Sequence, residues 1–266
     1  MPERRYTVVA LAGGELEADF RNAGYDVPNK AYLDVGGVTM LERVLRALRN
    51  SAEIGRIVCV TPPDAFAKAF PDERRTLCDD IVAPGADVVD SILAGFRGVD
   101  RREMVMVAAT DLPLASAADF TAFARRAVAV ECDVGYGFVR REAHAAKYPQ
   151  VRHTWVHLRE GTFCGGGVSI VRAGAVASTA ALVRKFAAAR KSPLRLAGLF
   201  SPLLALRLVF GSVGIAELEQ RADSLSGLRC RGIACDEAEL AVNVDRLEDL
   251  RCVEAIIAAQ GGPITR

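Results

Sequence analysis

The first segment whose composition suits phosphate chemistry ends an apolar run near the N-terminus. It consists of Leu11, Ala12, Gly13 and Gly14. Glycines at such a point let backbone N–H groups approach a phosphate oxygen without obstruction by a side chain. A tight turn after a buried strand explains the two glycines equally well. The segment is therefore a candidate phosphate loop that needs support from other residues.

Lys30 is the second candidate, because lysine is scarce in this chain. Only five of the 34 basic residues are lysines, and the other 29 are arginines. Lys30 lies in the segment Pro-Asn-Lys-Ala-Tyr-Leu, shortly before a glycine pair and an amphipathic stretch that begins at Met40. A lysine ammonium is a compact charge that suits an α- or β-phosphate oxygen. The alternative is an ordinary solvated surface lysine.

Carboxylates and an amide near two other apolar runs are candidate metal ligands. The segment Ala-Thr-Asp-Leu-Pro places Asp111 after a predicted strand, where open α/β sheets form their ligand crevice. Asn243 and Asp245 are two residues apart in another predicted strand, so we expect them to share one face. Mg²⁺ prefers such oxygen ligands, and Asn243 or Asp245 can supply a second oxygen to an ion held by Asp111. The structural alternatives are that Asp111 caps a turn and that Asp245 caps the last helix.

The elements that position these residues follow from the alternation of apolar runs and amphipathic stretches. Short runs rich in Val, Ile, Met and Ala predict buried strands, and three- and four-residue apolar spacing predicts helices between them. The predicted strands of the first half are Thr7–Ala12, Arg56–Thr61, Asp80–Ala83 and Met104–Thr110, and its helices are 40–49, 87–96 and 117–130. This rhythm is typical of a layered α/β domain with a largely parallel sheet.

The rhythm changes after residue 130, which predicts a smaller, mixed-sheet second half. The predicted strands there are 134–139, 168–171, 231–234 and 240–244, followed by a last helix at 247–259. An almost wholly helical insertion is expected at about 173–225. Because no linker divides the chain, we predict a single domain over 1–266, with its halves at 1–130 and 131–266.

Composition excludes several classes of function and location. The net charge of +1 provides no broad basic field, which argues against nucleic-acid binding. Seven cysteines without zinc-like spacing favour neither disulfides nor a cysteine metal site, and the N-terminus shows no export signal. Polar residues interrupt the apolar stretch 194–213, so it predicts no membrane span. We therefore expect a cytoplasmic protein.

The four motifs together resemble the MobA-like NTP transferase (nucleotidyltransferase) family. They occur in the family's order: Leu-Ala-Gly-Gly after the first strand, Pro-Asn-Lys-Ala-Tyr-Leu, Ala-Thr-Asp-Leu-Pro, and Asn-Val-Asp before the last helix. The similarity spans roughly residues 6–130 and 229–260. It implies a Rossmann-like GT-A α/β fold with helices on both faces of the sheet. The first half would bind a nucleoside triphosphate, and the second half would bind an acceptor.

The resemblance also implies roles for single residues. Lys30 would stabilise charge on the α-phosphate, and Asp111 with Asp245 would hold Mg²⁺, with Asn243 in reserve as the second ligand. Lys30 and Asp111 are the implied catalytic residues. The residues that would line the nucleotide are Leu11, Ala12, Gly13, Gly14, Lys30, Gly85 and Ser91.

The loop after Gly14 departs from the family pattern. Family members usually continue the glycine pair as Gly-x-Gly-x-Arg and soon reach Pro-Lys, whereas here Glu15, Glu17 and Asp19 follow. Three acids repel a triphosphate unless they point away or bind a cation. Arg21 is the candidate replacement for the missing arginine.

The resemblance therefore implies Mg²⁺-dependent nucleotidyl transfer from an NTP to a phosphorylated or hydroxyl acceptor, with release of pyrophosphate. The first alternative is a nucleotide-binding module without transfer chemistry, which the acidic loop favours. The second is a glycosyltransferase that uses a nucleoside-diphosphate sugar, although Asp111 lacks the usual Asp-x-Asp context.

Two further regions have no assigned chemistry. His144, His153 and His157 show no metal-ligand spacing, and we interpret them as structural or acceptor-site residues. Basic residues flank the segment 194–213, which leaves open a contact with an anionic membrane surface or with an acidic acceptor. An ordinary helical insertion, buried against the sheet or in the interface of a homo-oligomer, is the simpler interpretation.

Overall fold

Strands and helices alternate through the first half of the chain. The computed structural model describes residues 6–71, 76–176, 180, 184–185 and 202–260. The first-half elements are β1 (Tyr6–Leu11), α1 (Ala18–Asn22), a 3-10 turn (Lys30–Tyr32), α2 (Met40–Arg49), β2 (Ile54–Val60), α3 (Pro63–Ala69), β3 (Asp80–Val82), α4 (Val88–Gly95), β4 (Met104–Ala109) and α5 (Ala117–Val128). The four predicted strands are confirmed to within two residues at each end.

The second half adds four strands to the same sheet. Its elements are β5 (Val134–Arg140), α6 (Arg141–Lys147), β6 (Val156–Leu158), β7 (Gly161–Arg172), α7 (Pro202–Val209), α8 (Ile215–Ser226), β8 (Cys230–Cys235), a 3-10 turn (Ala238–Ala241) and α9 (Leu247–Ala259). The predicted strand 168–171 is the end of the long strand β7. Helix α6 and strand β6 were not predicted.

The eight strands form one mostly parallel sheet in the order β3-β2-β1-β4-β7-β5-β8, with β6 paired to β7. Strands β1 to β4 are parallel, β7 is antiparallel to both β4 and β5, and β8 is parallel to β5. The carboxyl ends of β4, β5 and β8 therefore lie at one edge. From β1 the chain first builds outward to β3 and then returns to β4 on the other side of β1. This reversal creates a crevice at the carboxyl ends of β1 and β4, where open α/β sheets bind ligands.

Helices cover both faces of the sheet, as the resemblance implied. Along β1, Val8 packs with Leu41 of α2 and Phe120 of α5 on one face, whereas Val9 packs with Val89 of α4 on the other. This alternation follows from the two-residue period of a strand. Each fully buried side chain of this size contributes about 1.5–3 kcal/mol.

A separate apolar core joins the segment around Leu33 to the last helix, α9, at the crevice. Leu33, which follows the 3-10 turn at Lys30, packs in one cluster with Val244 and with Leu250 and Val253 of α9. All four side chains are buried. This packing brings the segment of Lys30 next to the segment of Asp245.

The predicted strand 240–244 is wrong. Residues Ala238–Ala241 form a 3-10 turn, and the N–H of Val244 donates to the carbonyl oxygen of Asp111. The apolar run is buried but does not pair with a strand. Leu240 lies in the core that α2 and α5 form on one face of the sheet, and Val242 lies in the separate core of α9. A buried run of this length has the same composition as a buried strand.

The described residues contain no helix that is both long and apolar enough to cross a membrane. Residues 194–201 lie outside the described residues, and 202–209 form α7. Most of the predicted insertion at 173–225 is helical where it is described, but residues 177–179, 181–183 and 186–201 fall outside the described ranges. The proposed surface contacts of this region remain predictions.

Candidate active site

Lys30, Asp111 and Asp245 converge at the crevice. The Nζ atom of Lys30 lies 2.5 Å from Oδ2 of Asp111 and 2.5 Å from Oδ1 of Asp245. The three residues are far apart in sequence, and 215 positions separate Lys30 from Asp245. The structure thus brings together the three residues to which the sequence assigned the phosphate and metal chemistry.

Asn29 positions Lys30. The residue is 1% exposed, and its side chain donates from Nδ2 to the carbonyl oxygen of Ala12 at 2.9 Å and accepts at Oδ1 from the N–H of Ala31. The hydrogen bond from Ala31 caps the 3-10 turn. The hydrogen bond to Ala12 connects that turn to the candidate phosphate loop, Leu11–Gly14, which is called the glycine loop below. Asn29, which departs from the family's Pro-Lys pattern, is therefore the link between the two segments for which the sequence predicts phosphate contacts.

The two aspartates are positioned by their neighbours. Asp111 follows β4, where Thr110 donates its hydroxyl to the carbonyl oxygen of Leu11 at 2.8 Å. Asn243 donates from Nδ2 to Oδ2 of Asp245 at 2.6 Å, although the two residues are not in a strand. The N–H of Asp245 donates to Asp249 in the first turn of α9. Asn243 therefore orients Asp245 through its amide nitrogen.

The local electrostatics keep Lys30 charged. Burial of its side chain lowers the pKa of the ammonium, but the charges and hydrogen bonds of Asp111 and Asp245 outweigh burial and raise that pKa above its usual value. The ammonium therefore holds together two carboxylates that would otherwise repel each other.

The oxygen donors at this point fit a magnesium ion. Among the described residues, no group of three or more His, Cys, Asp or Glu side chains is arranged to hold a metal. Mg²⁺ in phosphate-transfer sites, however, is commonly bound by one or two carboxylates, with water and substrate phosphates completing its shell. Asp111 and Asp245 supply two such carboxylates. Oε2 of Glu17 is also buried and has no hydrogen-bond partner among the described residues, and the other oxygen of Glu17 is 3.9 Å from Lys30 Nζ.

The three acids of the non-standard loop point in different directions. Asp19 accepts from the N–H of Leu247 at the start of α9, so it acts as a helix cap. Glu15 is highly exposed and lies 4.0 Å from Arg21, which is itself more than half exposed. Only Glu17 faces Lys30. The structure places Arg21 beside Glu15, and its nucleotide-binding role remains a prediction.

Two loops in contact form the proposed nucleotide side of the crevice. A Cβ on Gly13 would lie 2.7 Å from Cβ of Pro84, and a Cβ on Gly85 would lie 2.3 Å from Cβ of Asp90. The N–H of Gly85 donates to the hydroxyl of Ser91 at 3.1 Å. Glycine is therefore required sterically at both positions, and the two loops close on each other.

The remaining glycine of the glycine loop, Gly14, has open space around it, unlike Gly13 and Gly85. Gly14 has a φ of 92°, in the left-handed region, and an added Cβ would meet nothing within 4 Å. Its backbone conformation and the open space beside it suit a loop that presents N–H groups to a ligand. The roles assigned to Leu11 and Ala12 remain predictions.

A group of aromatic and basic side chains lies near the site in an arrangement that the sequence did not predict. His144 on α6 and His153 approach each other with their Nε2 atoms 2.8 Å apart, and the ring of Trp155 packs edge-on against both. Burial, together with the nearby His153, lowers the pKa of His144 to about 4. No spacing rule indicates this pair, because His144 lies on α6 and His153, nine residues later, lies in the following loop.

Comparisons with known proteins agree with this architecture. A family model described as the MobA-like NTP transferase domain matches residues 8–195. A 2-C-methyl-D-erythritol 4-phosphate cytidylyltransferase of Rhodococcus jostii (strain RHA1) is 33% identical over 81 residues, which cover 29% of this chain and 34% of that protein. The chain spans between a third and a half of the length of the curated relatives that it matches.

Solved structures share the fold over nearly the whole chain. A hypothetical transferase from Thermus thermophilus is 29% identical, with a TM-score of 0.77, over 92% of this chain and 99% of the other. The 4-diphosphocytidyl-2C-methyl-D-erythritol synthase of Anaerococcus prevotii DSM 20548 is 12% identical, with a TM-score of 0.56, over 96% of this chain and 97% of the other. The Rossmann-like fold predicted from the sequence is thus confirmed.

Proposed function

We propose that the chain, which belongs to the MobA-like NTP transferase family, is a nucleotidyltransferase that transfers a nucleoside monophosphate from an NTP to a phosphorylated or hydroxyl acceptor. In this reaction an acceptor oxygen forms a bond to the α-phosphorus, the bond from that phosphorus to the bridging oxygen breaks, and pyrophosphate leaves. If the acceptor is a hydroxyl group, its proton passes to water. We propose that Mg²⁺ is required and that the reaction takes place at Lys30, Asp111 and Asp245.

One observation carries this proposal: the 2.5 Å contacts of the Lys30 ammonium with both Asp111 and Asp245. Phosphoryl and nucleotidyl transfer need positive charge at the phosphate oxygens and need no protein nucleophile. Lys30 provides a fixed positive charge, and the two carboxylates are the proposed magnesium ligands. The bound ion supplies charge neutralisation at the phosphate oxygens.

The protein's own contribution is positioning. Asn29 fixes Lys30 relative to the backbone of Ala12, so the ammonium and the glycine loop face one ligand together. The contact of Gly13 with Pro84 defines the adjoining part of the nucleotide side. Asn243 orients Asp245 from behind. Each of these contacts restricts the motion of the site before the substrates bind. Less conformational freedom is then lost on reaching the transition state.

CTP is the nucleotide we propose first. The curated relatives that match part of the chain are named as cytidylyltransferases. ATP, GTP and UTP form the comparison set in any test. A cytoplasmic location remains a prediction.

The second candidate function is nucleotide binding without transfer, and Glu17 favours it. This carboxylate faces Lys30 at 3.9 Å, where it opposes a triphosphate that lacks a bound cation. Such a module is expected to bind an NMP or NDP as well as an NTP and to release no pyrophosphate.

The test is a thermal-shift panel of the four NTPs, with and without Mg²⁺. We expect at least one NTP to stabilise the protein, more strongly with Mg²⁺ than without it. Asp111→Asn is expected to remove the magnesium-dependent part of the shift, whereas Asp64→Asn, at an exposed position on α3, is the matched control. Absence of any shift with all four NTPs would overturn the proposal.

A further inference from the structure

The order of the strands leaves one side of the crevice for the acceptor. The loops after β1, β2 and β3 lie on one side of Asp111, and β5 and β8 lie on the other. The carboxyl ends of β5 and β8 reach the same edge as that of β4. If the nucleotide lies on the β1–β3 side, as proposed above, the acceptor lies among the residues that follow β5 and β8.

Four side chains that follow β5 form what we call the histidine cluster: Arg141, His144, His153 and Trp155. Helix α6 begins with Arg141 directly after β5 and carries His144, which is 1% exposed. The rings of His144 and His153 are perpendicular, with centroids 4.3 Å apart. The Arg141 guanidinium lies over the ring of Trp155, 5.8 Å from its centroid.

The loop that bears His153 packs beside the segment that bears Asp245. Val151 lies in the same apolar core as Val244. Arg152 is 3.6 Å from Glu248 in the first turn of α9. Burial lowers the pKa of His153, and the negative charge of Asp245 opposes this shift, as expected for neighbours. The histidine cluster therefore borders the reaction site on its acceptor side.

Arg141 is exposed, and its guanidinium lies over the ring of Trp155. In the part of the chain that the structure describes, no carboxylate lies within ion-pair distance of Arg141. By contrast, Arg126 pairs with Glu237 and Arg231 with Asp223. An exposed guanidinium that rests on an indole and has no acidic partner is suited to an anionic ligand.

The two histidines provide hydrogen bonding without adding charge. Their Nε2 contact uses one N–H as donor and one lone pair as acceptor, so a neutral pair satisfies it. Nδ1 of His153 has no hydrogen-bond partner among the described residues, and the side chain is half-buried. This nitrogen is therefore available to a ligand oxygen.

We propose that the histidine cluster is the acceptor subsite, in which Arg141 binds a phosphate or carboxylate group of the acceptor and His153 hydrogen-bonds one of its oxygens. The inference rests on the proposed function, and it narrows the acceptor class from any phosphate or alcohol to a molecule with a separate anionic group. Arg141 sets specificity, and His153 positions the acceptor.

The single tryptophan of the chain provides a direct test. Because Trp155 is part of the cluster, its fluorescence reports on ligands that bind there. The probes are sn-glycerol 3-phosphate, glycerate and uncharged glycerol, titrated with and without a saturating, non-reactive CTP analogue and Mg²⁺. We expect saturable changes in emission with one or both anions and no such change with glycerol, and the stronger of the two anions distinguishes phosphate from carboxylate.

Matched variants separate a specific site from a general effect of charge. Arg141→Gln is expected to raise the apparent Kd of the anionic probe about tenfold, equivalent to about 1.4 kcal/mol. Arg140→Gln is the control, because Arg140 stacks on a different ring, Phe163. For the positioning residue, His153→Gln is expected to raise the apparent Kd of the anionic probe at a temperature at which the variant is fully folded, and exposed His157→Gln is its control.

Three results would overturn the inference: no response to either anion in the wild type, an equal loss in Arg140→Gln and Arg141→Gln, or unchanged binding in both cluster variants. The thermal-shift panel with NTPs is run on the same samples. If the protein binds NTP but shows none of the expected anion responses, the acceptor subsite is contradicted and the proposed function stands. If it binds no NTP, the proposed function is contradicted, whatever the fluorescence of Trp155 shows.

Discussion

Replacement of Lys30 by methionine tests the electrostatic core of the site. Met keeps most of the volume and the apolar stem of lysine and removes the ammonium. Without it, Asp111 and Asp245 face each other across the position where Nζ contacted both at 2.5 Å. We therefore expect Lys30→Met to be less stable than the wild type and to gain more stability from Mg²⁺.

The expected loss in the free energy of unfolding follows from the two charge-assisted hydrogen bonds of Lys30 and from the solvent exposure of Asp111 and Asp245. Each such bond contributes about 1.5–3 kcal/mol when well formed. The Asp111 side chain is 14% exposed, but that of Asp245 is 45% exposed and regains hydration when Lys30 is removed. We accordingly expect a loss of about 2–3 kcal/mol, which lowers the Tm of a chain of this size by roughly 5–10 °C.

Magnesium supplies the second part of the prediction. A ligand at 100 times its Kd stabilises the folded state by about 2.7 kcal/mol. In the wild type the ion must compete with the Lys30 ammonium for the same carboxylates, whereas in the variant it does not. The increase in Tm on adding Mg²⁺ is therefore expected to be larger in Lys30→Met than in the wild type by at least about 3 °C.

The assay is thermal unfolding of the wild type, Lys30→Met and the control Lys68→Met, which alters an exposed lysine on α3, across a magnesium titration at constant ionic strength. Stabilisation of Lys30→Met by Mg²⁺ that is no greater than that of the wild type would show that Lys30 does not compete with the ion. An equal response of Lys68→Met would show that the effect is not specific to Lys30.

Three further substitutions test other contacts. Asn29→Ala removes the bond to Ala12 and the cap of the 3-10 turn, so we expect unfolding measurements to show a loss of about 1–3 kcal/mol and NTP affinity to fall. Gly85→Ala forces a Cβ to 2.3 Å from Cβ of Asp90, so a shift of that loop is expected to weaken NTP binding in calorimetry, and unchanged affinity would contradict the steric argument. The depressed pKa of buried His144 means that the unfolded state binds the proton first, so stability is lost as the pH falls from about 6.5 towards about 4. His144→Gln is expected to flatten this part of the stability profile, and a slope equal to that of the wild type would contradict the shift.

The sequence was sufficient for the parts of the fold that depend on local pattern. Short apolar runs separated by amphipathic helices specify buried parallel strands, and β1 to β4 appear where that pattern predicts them. Helix α6 was missed because it has seven residues and starts directly at the end of β5. The error at 240–244 has a tertiary cause, since packing against two cores, rather than pairing with a strand, buries that run.

The same distinction between local sequence pattern and tertiary contacts applies to the candidate site. The positions of Lys30 and Asp111 follow from motif order and from the rule that ligands bind at the carboxyl ends of strands. That Lys30 bridges Asp111 and Asp245, and that Asn29 ties it to the glycine loop, depends on contacts between distant segments. Sequence spacing contains no information about such contacts. The pairing of His144 with His153 was inaccessible for the same reason.

The most direct test of the account is the transfer of labelled CMP from α-labelled CTP to a phosphorylated polyol in the presence of Mg²⁺. The wild type is expected to form a labelled product and pyrophosphate in equal amounts. Asp111→Asn is expected to lower the rate by about 100-fold or more, the usual scale for losing one electrostatic group at a transition state, while Asp64→Asn leaves it unchanged. A rate in Asp111→Asn equal to that of the wild type would contradict the assignment of transfer chemistry to this site.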